Sequence, residues 1–365
     1  MIRRRTALGR LGAGAGAASA LGGWAGLAAG LAQARTPVPA TATATAAAAA
    51  AAFEFIALGD MPYGPDAIAG AAYRHLIGMV NQLNPPFSLH VGDFKSGVAA
   101  CSDSEYALQQ RNFQRFEHPL VYTPGDNDWF DCQRRGDDPL ERLQALRQRF
   151  FAAPRSLGQR PLALLRQADV MPAFAAYVEN LRWTYPAGPE GVVFASFHTV
   201  GPDNGFDAAS AAVRAEALAR EAANAAWISA AFAAARSQGA RALVLMTQGE
   251  SLRYREHQHQ PLLGEVREGF ARSIGQTLLP MAEAAPHPVL LIHGDGHHYT
   301  VDQPFQNPQH QPIQNLWRLE VFGNPRMHAV RVRVNRADAP GPPFGFTPVW
   351  NPLSPDPRLR ARDRP

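Results

Sequence analysis

The chain has 365 residues, 46% of them hydrophobic and 18% charged, enough for a sizeable core in one large domain or two small ones. Its formal net charge of +4 is concentrated at the N-terminus: the first 34 residues contain Arg3, Arg4, Arg5 and Arg10 and no acid, so beyond them Lys+Arg falls from 35 to 31, equal to Asp+Glu at 31. That balance gives no basic footprint for a nucleic-acid partner.

The N-terminal segment Arg4-Arg5-Thr6-Ala7-Leu8 resembles a twin-arginine export signal. The Gly/Ala/Leu stretch that follows, to Leu31, is too rich in small residues to partition strongly into lipid. Ala32-Gln33-Ala34 forms a small-x-small cleavage site. Residues 1–34 are therefore expected to be a signal cleaved after Ala34. The mature chain would then be periplasmic or extracellular, with no membrane attachment. Residues 35–52 read as an Ala/Thr/Pro low-complexity linker, 53–350 as the folded domain, and 351–365 as a disordered tail.

Within 53–350, short apolar runs alternate with helical patterns. Strands are expected at Phe53–Leu58, Phe87–Val91, Pro119–Thr123, Val192–Thr199, Ala242–Met246 and Val289–Ile292. Helices are expected at about Ile68–Leu83, Ser104–Phe116, Pro139–Phe151, Ala208–Arg236 and Leu263–Glu283. Leu316–Phe322 and His328–Val334 read as a hairpin around Gly323-Asn324-Pro325. The fold class is α/β.

Four of these runs finish in Gly-Asp: Gly59-Asp60, Gly92-Asp93, Gly125-Asp126 and Gly294-Asp295. The first three aspartates are 33 residues apart, too regular a recurrence for incidental turns. Ligands bind outside the carboxyl ends of strands in α/β sheets. Carboxylates crowded at one edge repel one another unless a cation neutralises them. The pattern points to a divalent metal, and to two of them.

The series GDMPY (59–63), GDFKSG (92–97), PGDND (124–128), MTQGE (246–250) and HGDGHHY (293–299) resembles the calcineurin-like metallophosphoesterases. That resemblance implies a β-sandwich of two mixed sheets flanked by helices (αββα). It also implies hydrolysis of a phosphate mono- or diester by hydroxide generated on the metals. Carried over by motif position, one metal takes Asp60, Asp93 and His297, and the other takes Asp93, Asp126, Gln248 and Asp295.

Two family histidines are replaced, by Pro62 and by Asn127, and Tyr63 or a distant histidine is a candidate to fill the first gap. Asn127 stands where the family binds phosphate and protonates the leaving group, but an amide is no general acid. The oxygen-rich set favours Mn or Mg over Zn or Fe, with Ca also compatible. The substitutions leave open an alternative: a non-catalytic, metal-stabilised binding protein on the same scaffold. Oligomeric state is open.

Lys95, the only lysine beside 34 arginines, lies two residues past Asp93 and is a candidate for contact with phosphate or a metal-bound carboxylate. His198 is a candidate catalytic imidazole and Asn204 a candidate substrate contact, against equally weighted structural readings. His293 is a reserve ligand, and Arg134 and Arg135 are candidates to meet an anionic substrate. Cys101 and Cys132, 31 residues apart, are expected to form a disulfide in an oxidising compartment.

Overall fold

The computed structural model describes residues 51–254 and 261–354. The expected signal, nearly all of the linker, and residues 355–365 lie outside that range. Among the described residues no helix is long and apolar enough to cross a membrane.

Two mixed sheets carry the fold. In the first, β1 (Phe53–Leu58), β2 (Ser88–His90) and β3 (Leu120–Tyr122) run parallel. The antiparallel strands β13 (Ala329–Val334) and β14 (Phe344–Val349) extend it past β1, in the order β14-β13-β1-β2-β3. The second sheet is built on parallel β6 (Val192–Ser196), β7 (Ala242–Met246), β10 (Val289–His293) and β12 (Leu316–Glu320). Antiparallel β11 (Thr300–Asp302) closes one edge, and β5 (Leu181–Tyr185) with β4 (Leu165–Arg166) closes the other.

Side-chain alternation shows how the layers stack. Val192 and Phe194 of β6, Val244 and Met246 of β7, and Leu290 and Ile292 of β10 belong to the core that also holds β1 and β2. Their neighbours Val193, Leu243, Leu245 and Leu291 face a second core. A strand apolar on both faces is covered on both faces. Between the sheets, Phe55 and Phe87 from the first meet Phe194 from the second at ring-centroid distances of 5.3 and 5.0 Å. Helices α1 (Ala71–Leu83), α2 (Asp103–Phe113) and α3 (Pro139–Phe150) feed the first core through Leu76, Phe113 and Phe150. The long α4 (Ala211–Ser237) packs Trp227, Ile228 and Ala231 into the second. Three helix starts follow from local chemistry: Ser102, Asp138 and Ser210 each accept a backbone N–H of the first turn, and Pro139 opens α3.

The structure corrects two expectations. Leu263–Glu283 is not one helix. Residues Pro261–Val266 form β9, paired with β8 (Leu252–Tyr254), and helical structure begins at Glu268. Gly264 sits there at φ +77°, a conformation a helix cannot use. Nor do residues 316–334 form a hairpin, since β12 lies in the second sheet and β13 in the first. The connection between them crosses the strand ends, with Val321 N–H bonding the His293 carbonyl and Asn324 N–H the Asp60 carbonyl, each at 2.9 Å. Of the residues expected in the tail, Asn351 donates from Nδ2 to the Ala72 carbonyl and Ser354 from Oγ to that of Pro325, both at 2.9 Å.

Candidate metal centre

The loops after β1, β2, β3 and β10 interlock. A Cβ on Gly125 would stand 2.0 Å from Asp93 Oδ1, and one on Gly294 would stand 2.1 Å from Asp60 Oδ2. Two of the four Gly-Asp glycines, Gly125 and Gly294, therefore make room for the carboxylate of another pair. Asp60, Asp93, Asp295 and His297 all hold left-handed backbone conformations, with φ of 53°, 57°, 71° and 62°. Such strain at non-glycine residues persists only where the surroundings enforce it, and it concentrates at functional sites.

Asp60, Asp93 and His297 are brought together, one ligand atom of each lying within 4.8 Å of the others. Asp295 joins through its backbone N–H, 3.0 Å from Asp60 Oδ1. Asp126 adjoins through Gln248, whose Nε2 donates to Asp126 Oδ1 at 3.0 Å. Asn127 donates from its backbone N–H to Asp93 Oδ1 at 3.0 Å, and from Nδ2 both to Asp93 Oδ2 and to the Tyr63 hydroxyl at 2.7 Å. That hydroxyl donates to Asp93 Oδ2 at 2.9 Å and lies 3.4 Å from His297 Nε2. His297 Nδ1 is held by the Asn324 carbonyl at 2.8 Å, which leaves Nε2 facing the carboxylates.

The electrostatics are those of anions crowded out of water. Burial, then mutual repulsion, pushes the Asp60, Asp93 and Asp126 carboxyls well above the ordinary carboxylate range; Asp295 is raised too, burial leading. Burial and then Asp93 push the Tyr63 hydroxyl up, and burial pushes the His297 imidazole down. Asp60 Oδ2 is buried without a hydrogen-bond partner. An orphaned carboxylate oxygen among other carboxylates and an imidazole suits a divalent cation, so the residues fit one.

Four residues expected at the site behave otherwise. Gln248 is close, but its oxygen accepts the Gly201 N–H at 3.1 Å, so it turns amide hydrogens, not a ligand atom, toward the carboxylates. Lys95 is buried, with its ammonium directed at the carbonyls of Ser96 and Ala99 instead of the carboxylates. It lines a cavity of about 100 Å³ with Pro62, Glu105 and Gln109. His198 is a core histidine: Nδ1 bonds Glu179 at 2.9 Å and Nε2 accepts from the Trp129 indole at 3.1 Å, leaving no nitrogen for chemistry. Asn204 is likewise consumed, with Val200 N–H, Glu221 and the Gly269 carbonyl as partners.

Two acids that the sequence reading passed over matter here. Asp128 accepts the N–H groups of Asp93, Phe94 and Gly125 at 2.9–3.0 Å and the Tyr122 hydroxyl at 2.7 Å, so it ties the second and third loops together. Burial raises its carboxyl to about 6. Asp131 lies beside Asp126 and pairs with Arg134 Nη1 at 2.7 Å. The signal for Asp128 was present in PGDND, two residues past the expected ligand. Cys101 and Cys132 are joined as a disulfide, Cα atoms 5.7 Å apart. The bridge pins the Phe130–Arg135 turn, with Asp131 and Arg134, to the loop after β2.

No protein-family profile and no curated protein matches the chain. Solved structures resemble it at low identity. A dimetal phosphatase from Danio rerio is 9% identical, with 82% of this chain and 99% of that one covered and a TM-score of 0.46. A structure of PhoD is 11% identical, covering 81% and 68%, with a TM-score of 0.46. The purple acid phosphatase PPD1 from yellow lupin (Lupinus luteus) seeds is 12% identical, covering 81% and 53%, with a TM-score of 0.41. The chain itself sets two mixed sheets between helical layers and carries its carboxylates on strand-end loops.

Proposed function

We propose that the protein is an exported, divalent-metal-dependent phosphoesterase acting on a phosphate mono- or diester. One observation carries this reading: ligand atoms of Asp60, Asp93 and His297, from strand ends of both sheets, lie within 4.8 Å of one another, with the Asp295 N–H on Asp60 and Asn127, next to Asp126, on Asp93. Asp60, Asp93 and His297 would hold one ion, and Asp93, Asp126 and Asp295 a second. When bound, the ions supply positive charge for a phosphoryl group in transit and acidify water. The oxygen-rich donor set favours Mn²⁺ or Mg²⁺ over Zn²⁺ or Fe, and Ca²⁺ is also compatible.

The chain's own groups divide the remaining work. Asn127 fixes both oxygens of Asp93 and donates to Tyr63. The Tyr63 hydroxyl is the proton carrier beside His297, one residue past Pro62, which replaces the family imidazole. Arg134, its side chain 56% exposed and tethered by Asp131, meets the anionic substrate at the rim. Export is supported by the Arg4-Arg5 signal pattern and by a disulfide suited to an oxidising compartment. N-terminal sequencing of the exported protein should begin at Arg35.

The test is hydrolysis of aryl phosphate mono- and diesters with added Mn²⁺, in wild type and Asp93→Asn. A loss of roughly 10³-fold or more is expected in the variant, the scale of removing a group that stabilises the transition state. Equal rates in the two proteins would sink the catalytic reading. The amide at Asn127 favours the second reading, a metal-stabilised binding protein. That reading predicts a Mn²⁺-dependent rise in thermal midpoint with no turnover.

A further inference from the structure

A second buried cluster lies at the same edge of the second sheet and is not used by the proposed centre. His293 ends β10 and Glu320 ends β12, and the two are paired across these parallel strands. Glu250 follows β7, the strand on the other flank of β10. One ligand atom from each of Glu250, His293 and Glu320 lies within 4.8 Å of the others. The three residues are 5%, 1% and 2% exposed.

The hydrogen bonds set the imidazole's orientation. Nδ1 lies 2.9 Å from the Gly294 carbonyl oxygen, which can only accept, so Nδ1 carries the hydrogen. Nε2 then presents its lone pair to the carboxylates. It has no hydrogen-bond partner and lies 3.5 Å from Glu250 Oε2. A lone pair facing a carboxylate oxygen across that gap is repulsive unless a cation lies between them. Nitrogen and oxygen ligands at about 2.0–2.2 Å from one ion stand about 3–3.5 Å apart, which is the spacing found.

Arg318 is the competing cation. Its Nη1 lies 3.1 Å from Glu250 Oε2, while its other nitrogens hold Asp302 at 2.7 and 2.8 Å. One guanidinium against the carboxylates of Glu250, Glu320 and Asp302 leaves two negative charges in excess, which is the charge one divalent ion would neutralise. The carboxylates are already oriented for it: Tyr254 donates to Glu250 Oε2 at 2.6 Å, and the His298 N–H donates to Glu320 Oε1 at 2.7 Å.

We propose that Glu250, His293 and Glu320 form a further divalent-metal site, of the Mn²⁺ or Zn²⁺ type that accepts one imidazole and two carboxylates. The ion ties the ends of β7, β10 and β12 together beneath the loop that carries Asp295 and His297. This site is independent of the phosphoesterase reading.

The test is elemental analysis of protein expressed with Mn²⁺ or Zn²⁺ and dialysed against metal-free buffer, for wild type, Glu320→Gln, His293→Ala and Asp93→Asn. Glu320→Gln and His293→Ala should each carry one ion per chain fewer than wild type. Asp93→Asn should lose the other ions and keep this one. Wild-type metal content in both cluster variants, or none in Asp93→Asn, overturns the proposal. The Asp93→Asn arm leaves the cluster intact, so the test stands even if a cluster variant fails to fold. Wild-type metal content in Asp93→Asn alone would instead count against the Asp60–Asp93 centre and leave this site standing.

Discussion

Tyr63 follows Pro62, which stands where the family resemblance expects an imidazole, and its hydroxyl touches Asp93, Asn127 and His297 at once. Tyr63→Phe removes the proton without disturbing the ring, so kcat on aryl phosphates should fall about 10²-fold with Mn²⁺ content unchanged, the size of a general-acid contribution. An unchanged kcat would remove Tyr63 from the chemistry. Glu179 matters for stability instead. Burial alone would push its carboxyl up, but Arg147, at 2.5 Å, and His198 outweigh burial and hold it at about 2. A carboxyl depressed on folding stabilises above its unfolded pKa, and that stabilisation fades as pH falls through the folded value. Glu179→Gln should therefore cost roughly 3 kcal/mol at neutral pH and progressively less from about pH 4.5 toward 2, read by urea unfolding. The aspartates of the centre were legible in the sequence because each follows a strand and a glycine. Glu179 and His198 were not, because their partnership joins residues 19 apart with nothing local to mark it.

At the scale of elements, the disulfide determines where Arg134 sits. It joins the Phe130–Arg135 turn to the loop after β2, and Arg135 Nη1 adds a bond to the Val98 carbonyl at 3.1 Å. Replacing both Cys101 and Cys132 by Ser releases a closed span of 31 residues and should lower stability by about 3–4 kcal/mol in urea titrations. KM for an anionic ester should rise as Arg134 loosens, with kcat little changed; an unchanged KM would separate Arg134 from substrate. The parallel strands and main helices were legible because their apolar periodicity is local and their caps are explicit. The 316–334 segment was misread because two apolar runs around Gly-Asn-Pro look alike whether they pair with each other or pass between sheets. Strand β14 was missed because Gly345 and Pro348 interrupt its pattern.

At the scale of the whole molecule, the carboxylates link stability to both pH and metal. Asp60, Asp93, Asp126 and Asp295 are raised on folding, and Asp128 reaches about 6, burial leading in each. A carboxyl raised on folding stabilises below its unfolded pKa, and that contribution is lost as pH rises through the folded value. Chelator-treated protein should therefore lose thermal stability as pH rises from about 4 through 6 and beyond. Mn²⁺ should restore it, by about 2.7 kcal/mol per site at a hundredfold excess over Kd. Calorimetry at pH 5 and 8, with chelator or Mn²⁺, should show a gap that widens with pH; a gap independent of pH would show that the carboxylates are not what binds the ion.

The most direct test is calorimetric titration of Mn²⁺ into chelator-treated wild type and Asp93→Asn. The convergence of the strand-end carboxylates predicts binding in wild type and loss of the Asp60–Asp93 ions in the variant. Identical isotherms, or no Mn²⁺ bound by wild type, would contradict it.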